Sequence, residues 1–183
     1  MPWFDSETNL SIFFEMLAPA SGEKILDVGA GRGIVANKVR TKGGSEVYAA
    51  DHDPGRIAKM QAMFPSLKGY VAETESLPFE DSFFDKVYST MAFHHFADPR
   101  KPLREFARVL KPGGALLIVE IKRSSGQGRF LRFVENAIHR SHVKTIEMDQ
   151  LARFVKEDGE FEMRKTADNS YVYFVLCAKA APP

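Results

Sequence analysis

At 183 residues the chain is long enough for one domain with a proper core, and 44% hydrophobic and 27% charged residues are ordinary for a soluble globular protein. A net charge of +1 gives the whole molecule no pull toward nucleic acid or a membrane surface. The single cysteine, Cys177, excludes an intrachain disulfide and a multi-thiolate metal site, and its apolar run reads as home to a buried, inert thiol.

The opening stretch MPWFDSETNLSIFFEMLAP lacks the basic start and long apolar core of a signal peptide. No segment has the ~18 uninterrupted apolar residues that span a bilayer, so a soluble, cytoplasmic protein is expected. Asp5 or Ser6 caps a first helix with Leu10, Phe13, Phe14 and Leu17 on one face, and Pro19 ends it. KILDV is a buried-strand run that leads straight into a glycine turn. A helix is expected from about Arg32 to Lys42, closed by Gly43-Gly44. EVYAA is a second strand ending at Asp51, and Asp53-Pro54 is an N-cap with its first helical residue.

LKGYVA and DKVYST are the third and fourth strands. Asp98-Pro99 caps a helix with Leu103, Phe106, Val109 and Leu110 on its buried side; KPGG ends it, and ALLIVEI is the fifth strand. This alternation argues for an α/β domain with a parallel sheet covered on both faces. Residues 122–145 are basic and amphipathic, with six cations against Glu135 alone. MDQLARFVKEDG is a helix stopped by Gly159. FEMRKT and YVYFVLCAKA, separated only by ADNS, can pair only as an antiparallel hairpin.

The stretch DVGAGRG, residues 27–33, carries the chemistry. It leaves a strand and enters a helix, where free backbone N–H groups meet a ligand and missing side chains let it lie close. Its spacing is G-x-G-x-G, at Gly29, Gly31 and Gly33; a dinucleotide fingerprint asks for a small residue at position 34, where this chain has Ile34. Asp27 before the turn suits a cationic group and repels a pyrophosphate. Asp51, at the end of the second strand, stands where nucleotide binders place an acid for the ribose hydroxyls. An adenosine ligand with an ammonium group and no phosphate satisfies both acids.

The chain resembles the class I S-adenosylmethionine-dependent methyltransferases, in particular the methyltransferase type 11 group. ILDVGAGRG resembles the family's first motif and VYAADHDP its second. AETESLPFEDSFFDKVYS is similar to the G-D-A-x-x-L-P-F…S-F-D-x-V stretch, and MAFHHFADPRKPLREFARVLKPGGALLIVE to the His-His and R-V-L-K-P-G-G stretch that follows. Together these motifs cover roughly residues 24–121 in order. The resemblance implies S-adenosyl-L-methionine as cofactor, with Asp27 and the backbone at Gly29 on the methionine amino end and Ala30, Gly31 and Gly33 completing the turn. It gives Asp51 the ribose, His52 a flank of the adenine, Glu73 and the Thr74 backbone the adenine edge, and Thr90 and Met91 the methyl region. Glu73 stands where many relatives have Asp. The implied fold is a Rossmann-like three-layer α/β/α sandwich with a seven-stranded, mostly parallel sheet of order 3-2-1-4-5-7-6, strand 7 antiparallel. One domain is expected: an N-terminal helix (1–20), a cofactor-binding core (24–121), a variable cap (122–145), and a helix with the hairpin (146–183).

The expected reaction is direct in-line methyl transfer to a small-molecule acceptor, by a monomer or homodimer with no nucleic-acid partner and no integral membrane segment. His94 and His95, beside the topological switch point, are candidates for a general base or an acceptor-orienting group; the bland reading is that one ring packs on the next helix. Trp3, Phe4, Phe14 and the loop from Phe93 to His95 are candidate acceptor contacts. Residues 122–145 read first as a helix packed over the sheet edge; sharper readings are a substrate cap or a membrane-surface helix. His139 and His142 lack a third ligand nearby, so no metal is expected. Two other function classes stay open: a non-catalytic cofactor-binding module, and an NAD-type oxidoreductase, against which Ile34 and the terminal hairpin speak.

Overall fold

The computed structural model describes residues 3–96, 98–122, 126 and 146–180. Its elements in chain order are α1 (Glu7–Leu17), β1 (Lys24–Val28), α2 (Ile34–Gly43), β2 (Glu46–Asp51), α3 (Pro54–Met63), β3 (Lys68–Val71), β4 (Phe84–Thr90), α4 (Arg100–Val109), β5 (Leu110–Ile121), α5 (Met148–Asp158), β6 (Phe161–Asp168) and β7 (Val172–Lys179). The strands form one sheet of order β3-β2-β1-β4-β5-β7-β6. All neighbours from β3 to β5 run parallel, and β7 runs antiparallel to both β5 and β6. The order reverses between β1 and β4, and there the C-terminal ends of parallel strands open a crevice.

Period-two alternation sends each strand's side chains to two cores. Ile25, Ala49, Tyr88, Leu117 and Phe174 pack with Phe13 and Leu17 of α1, Val35 and Val39 of α2, and Ile57 and Met60 of α3. Leu26, Val28, Ala50, Val87, Ile118 and Val175 pack with Leu103 and Phe106 of α4 and Leu151 and Val155 of α5. Both faces of the inner strands are covered, and each fully buried aliphatic or aromatic side chain contributes about 1.5–3 kcal/mol relative to exposure.

The local signals act largely as expected. Ser6 caps α1, accepting the Asn9 N–H at 3.4 Å. Asp53 caps α3, accepting N–H bonds from Gly55 at 2.8 Å and Arg56 at 3.2 Å, with Pro54 at the first helical position. Gly159 ends α5 with φ of 72°.

Three details differ. The second helix begins at Ile34, because Gly31 and Gly33 both take left-handed φ (57° and 71°), a conformation that cannot continue a right-handed helix. Pro99 takes the N-cap position of α4, and Asp98 acts from one residue earlier, accepting the Arg100 N–H at 3.1 Å. KPGG does not precede the fifth strand but bulges within it: Leu110 pairs with Phe84, and pairing resumes at Ala115 with Lys86. A further feature is invisible to hydrophobic periodicity: Asn9 of α1 is buried, and its Nδ2 donates to Tyr171 Oη at 2.5 Å while its Oδ1 accepts from Asn169. That network ties the first helix to the turn of the final hairpin.

Candidate active site

The crevice at the strand ends is built from the β1–α2 turn, the end of β2, the loop after β3 and the loop after β4. Asp27 and Tyr88 are register partners on β1 and β4 and face the same core. Asp27 is 1% exposed, and neither carboxylate oxygen has a hydrogen-bond partner in the protein. Burial pushes its carboxyl up to about 8; the adjacent Tyr88 hydroxyl opposes this, and the nearby Asp51 charge adds to it. Tyr88 Oη is itself buried without a hydrogen-bond partner, and burial followed by the Asp27 charge raises its phenol above the ordinary range. Three unsatisfied buried oxygens cost several kcal/mol unless something completes them. A ligand ammonium is the group that does so.

The glycines divide by task. At Gly29 (φ 77°) a Cβ would fall 2.7 Å from that of Ala92, so the glycine lets the turn touch the loop after β4. A Cβ at Gly31 would meet nothing within 4 Å, and its left-handed φ is what demands glycine. Gly33 is buried, and a Cβ there would overlap the Met60 side chain; its role is to bring α2 against α3. The turn's amides are spent on the protein itself. Gly29 and Ala30 both donate to Ala50 O, at 2.9 and 3.1 Å, and Gly31 donates to Asp51 Oδ2 at 2.8 Å. The expectation of N–H groups open to a ligand therefore does not hold for these three residues. The groups that await a partner here are carboxylates, which suits a cation and not a pyrophosphate.

Asp51 is buried at the end of β2, and its Oδ1 accepts the Asp53 N–H at 3.0 Å. Each oxygen keeps a lone pair for a vicinal hydroxyl. His52 Nδ1 lies 3.6 Å and the Arg56 guanidinium 3.8 Å from this carboxylate. Gly31 and Arg56 also line a polar crevice of about 500 Å³ shared with Arg32, Asp53, Gly55 and Lys59. Ala72 donates to Asp51 O at 3.1 Å, which brings the exposed Glu73 and half-buried Thr74 to the same rim. Arg108 pins the loop that follows, donating to Leu77 O at 3.1 Å, Phe79 O at 2.8 Å and Asp81 Oδ1 at 2.7 Å.

At the end of β4, Thr90 and the following Met91 are half-buried, and Met91 takes a left-handed φ of 54°, held by its N–H to Val119 O at 2.8 Å. A non-glycine residue in that conformation at a strand end is strained. His94 is buried and His95 exposed, with ring centroids 4.1 Å apart. His94 Nδ1 lies 2.8 Å from Glu120 Oε2, and Glu120 Oε1 accepts the Phe93 N–H at 2.7 Å. Glu120 escapes sequence reading because it sits in the apolar run ALLIVEI; its one signal is a lone carboxylate at a parallel strand's C-terminal end. It shares a face with Ile118, whereas Asp27 faces the other core, so the two acids serve different sides of the crevice edge.

Phe4 and Phe14 are half-buried against the α1 side, away from the Glu120 face. The Trp3 side chain, the basic stretch from Arg123 onward, His139 and His142 lie outside the described residues. Among the described residues no group of three or more His, Cys, Asp or Glu side chains could hold a metal, and no helix is long and apolar enough to cross a membrane. Cys177 is buried, and burial pushes its thiol up to about 12.

Comparison with known proteins agrees with this geometry. The family described as "Methyltransferase domain" matches residues 26–118. A protein of Clavibacter sepedonicus named demethylmenaquinone methyltransferase is 36% identical over 107 residues, covering 57% of this chain and 43% of the relative. The chain thus aligns with less than half the length of that relative. A SAM-dependent methyltransferase from Aquifex aeolicus has the same fold, with a TM-score of 0.79, 18% identity, and coverage of 97% of this chain and 95% of the other. The [4+2]-cyclase SpnF also has it, with a TM-score of 0.78, 17% identity, and coverage of 94% and 80%. Motif order, the seven-stranded sheet and the match over residues 26–118 lead to one assignment: the chain belongs to the methyltransferase domain family.

Proposed function

We propose that this chain moves a methyl group from S-adenosyl-L-methionine to a small-molecule acceptor by direct in-line displacement. The observation that carries the reading is the orphaned, buried Asp27 carboxylate, set under a glycine turn whose amides are already used. Asp27 takes the ammonium of the methionine end, with the Tyr88 hydroxyl beside it. Asp51 takes the ribose hydroxyls, His52 flanks the base, and the Glu73–Thr74 rim meets its edge. Thr90 and Met91 wall the methyl region. S-adenosyl-L-methionine supplies a methyl carbon already activated on a sulfonium, so the chain's task is to orient an acceptor at ~3–3.5 Å and exclude water. His94 and His95 stand at the acceptor side of that wall. A quinol is the acceptor class to test first, because the Clavibacter relative is named for a quinone substrate. Fold alone would not support a choice of reaction, since a [4+2]-cyclase shares it.

Calorimetric titration with S-adenosyl-L-methionine, S-adenosylhomocysteine and NAD, beside an Asp51→Ala variant, tests the cofactor half. Both adenosyl ligands are expected to bind, with affinity reduced at least tenfold in the variant, and NAD is expected not to bind. Binding of NAD alone would overturn the reading. Transfer of a labelled methyl group to 1,4-naphthohydroquinone tests the acceptor half.

A further inference from the structure

The rim of the crevice after β3 is a short turn held from two directions. At its start the Ala72 N–H donates to Asp51 O at 3.1 Å. Within it Glu73 and Ser76 form an isolated antiparallel bridge, with the Ser76 N–H on Glu73 O at 3.0 Å. At its end Leu77 is buried in the core, and its N–H donates to Glu105 Oε1 at 2.7 Å. Residues 73–76 thus hang between the end of β2 and one carboxylate of α4.

That carboxylate is fixed in turn by Arg108. Lys101, Glu105 and Arg108 stand at i, i+4 and i+7 of α4 and form one stripe along the helix. Arg108 Nε donates to Glu105 Oε2 at 2.9 Å and Nη2 to Glu105 Oε1 at 2.7 Å, a fork set on a carboxylate. The other donors reach Leu77 O at 3.1 Å, Phe79 O at 2.8 Å and Asp81 Oδ1 at 2.7 Å. All five guanidinium N–H groups are therefore used, and two of the acceptors are backbone carbonyls, which fix the course of the chain itself. Glu105 is 13% exposed, and Arg108 holds its carboxyl below the ordinary range. Lys101 adds only an exposed pair with Glu75 at 3.2 Å, of a kind that contributes little.

We infer that Arg108 is a positioning residue, which through Glu105 and the Leu77–Asp81 loop sets the turn 73–76 and so selects the base that the crevice accepts. The inference rests on the cofactor reading, in which Glu73 and the Thr74 backbone meet the base edge, and deepens it to base specificity. Arg108 itself touches no ligand. Adenine presents an amino donor where hypoxanthine presents an oxygen. A rim held to match the one rejects the other, and a rim free to shift yields to both.

Arg108→Lys tests this, because it keeps the charge and gives up the planar fork. Three donors on one nitrogen cannot serve two backbone carbonyls and both oxygens of a carboxylate. Calorimetric titration with S-adenosylhomocysteine and S-inosylhomocysteine reads the selection. Wild type is expected to prefer the adenine ligand by about tenfold or more, and Arg108→Lys to bind it more weakly, with the preference reduced to about threefold or less. A purely structural Arg108 predicts an unchanged preference, because lost stability does not alter a ratio between two ligands. That outcome, or equal affinity of the wild type for the two ligands, would overturn the proposal.

Hydrogen exchange of the free protein reads the hold on the turn without any ligand. The Ser76 and Leu77 amides are expected to exchange about tenfold faster in Arg108→Lys, with the Val119 amide of β5 unchanged. Equal acceleration at Val119 would make Arg108 a global prop and overturn the proposal. Glu105→Gln removes one of the two oxygens that the fork needs; it is expected to move both readouts the same way, and it decides the matter if Arg108→Lys fails to fold. If the wild type binds neither ligand, the cofactor reading fails and base selection with it, while exchange still decides whether Arg108 holds the turn.

Discussion

Asp27 is where folding and function conflict. Burial pushes its carboxyl up to about 8 in the native protein, whereas the unfolded chain ionises it near the ordinary 3.8. A raised native value means that the folded state holds the extra proton, so stability is full below pH 4 and drains away as pH rises toward 8. Asp27→Asn keeps the shape and removes the titration. The variant is therefore expected to be more stable than wild type, by on the order of 5 kcal/mol at pH 7.5, with the gain shrinking to nothing near pH 4. Urea unfolding at several pH values checks this; a pH-independent difference would show that the free protein keeps Asp27 ionised. The same substitution should abolish measurable cofactor binding. Asp27 was legible in the sequence as an acid for a cationic ligand. Its partner Tyr88 was not, because an aromatic residue in an apolar strand reads as core until the register sets it beside a carboxylate.

At the scale of elements, the β1–α2 turn separates glycines that the motif treats alike. Gly31→Ala places a methyl in open space at a left-handed φ, and should cost about 1 kcal/mol of stability while weakening cofactor binding about tenfold. Gly33→Ala drives a methyl into Met60 of α3, and should cost about 1–3 kcal/mol with a smaller loss of affinity. Paired unfolding and binding measurements on the two variants test this division; equal losses in both columns would refute it. The helices themselves were readable because their caps are local: Ser6, Asp53 and Gly159 act within three residues of their positions. The KPGG bulge was not, since a glycine pair signals a break equally well before a strand or inside one, and only pairing with Phe84 distinguishes them.

For the whole molecule, the sheet ends at β6, which pairs only with β7 among the described residues. Such an edge offers unpaired backbone to other chains. Here it carries a register shift between Met163 and Lys165, and it is charged: Arg164 pairs with Glu162 at 2.9 Å and Lys165 with Glu15 at 2.5 Å. Bulges and charges are how natural edges resist pairing. The double variant Arg164→Val, Lys165→Val is expected to self-associate with rising concentration in sedimentation velocity, with affinity for S-adenosylhomocysteine unchanged. A variant with wild-type sedimentation would mean that something else protects this edge.

What the sequence by itself determined was the α/β alternation, the hairpin that closes the sheet, and the acids at the ends of the first two strands. Each is written in short-range chemistry: a hydrophobic period, a cap, a four-residue connection or a glycine turn behind a carboxylate. Only the tertiary structure decided which polar groups would lose their water. Asp27 became an orphaned acid because register sets it beside Tyr88 in a buried core, Gly33 a packing residue because α3 leans on it, and Glu120 the partner of His94 because β4 and β5 end side by side. Desolvation and hydrogen-bond direction depend on neighbours that lie tens of residues away along the chain, so no local pattern carries them.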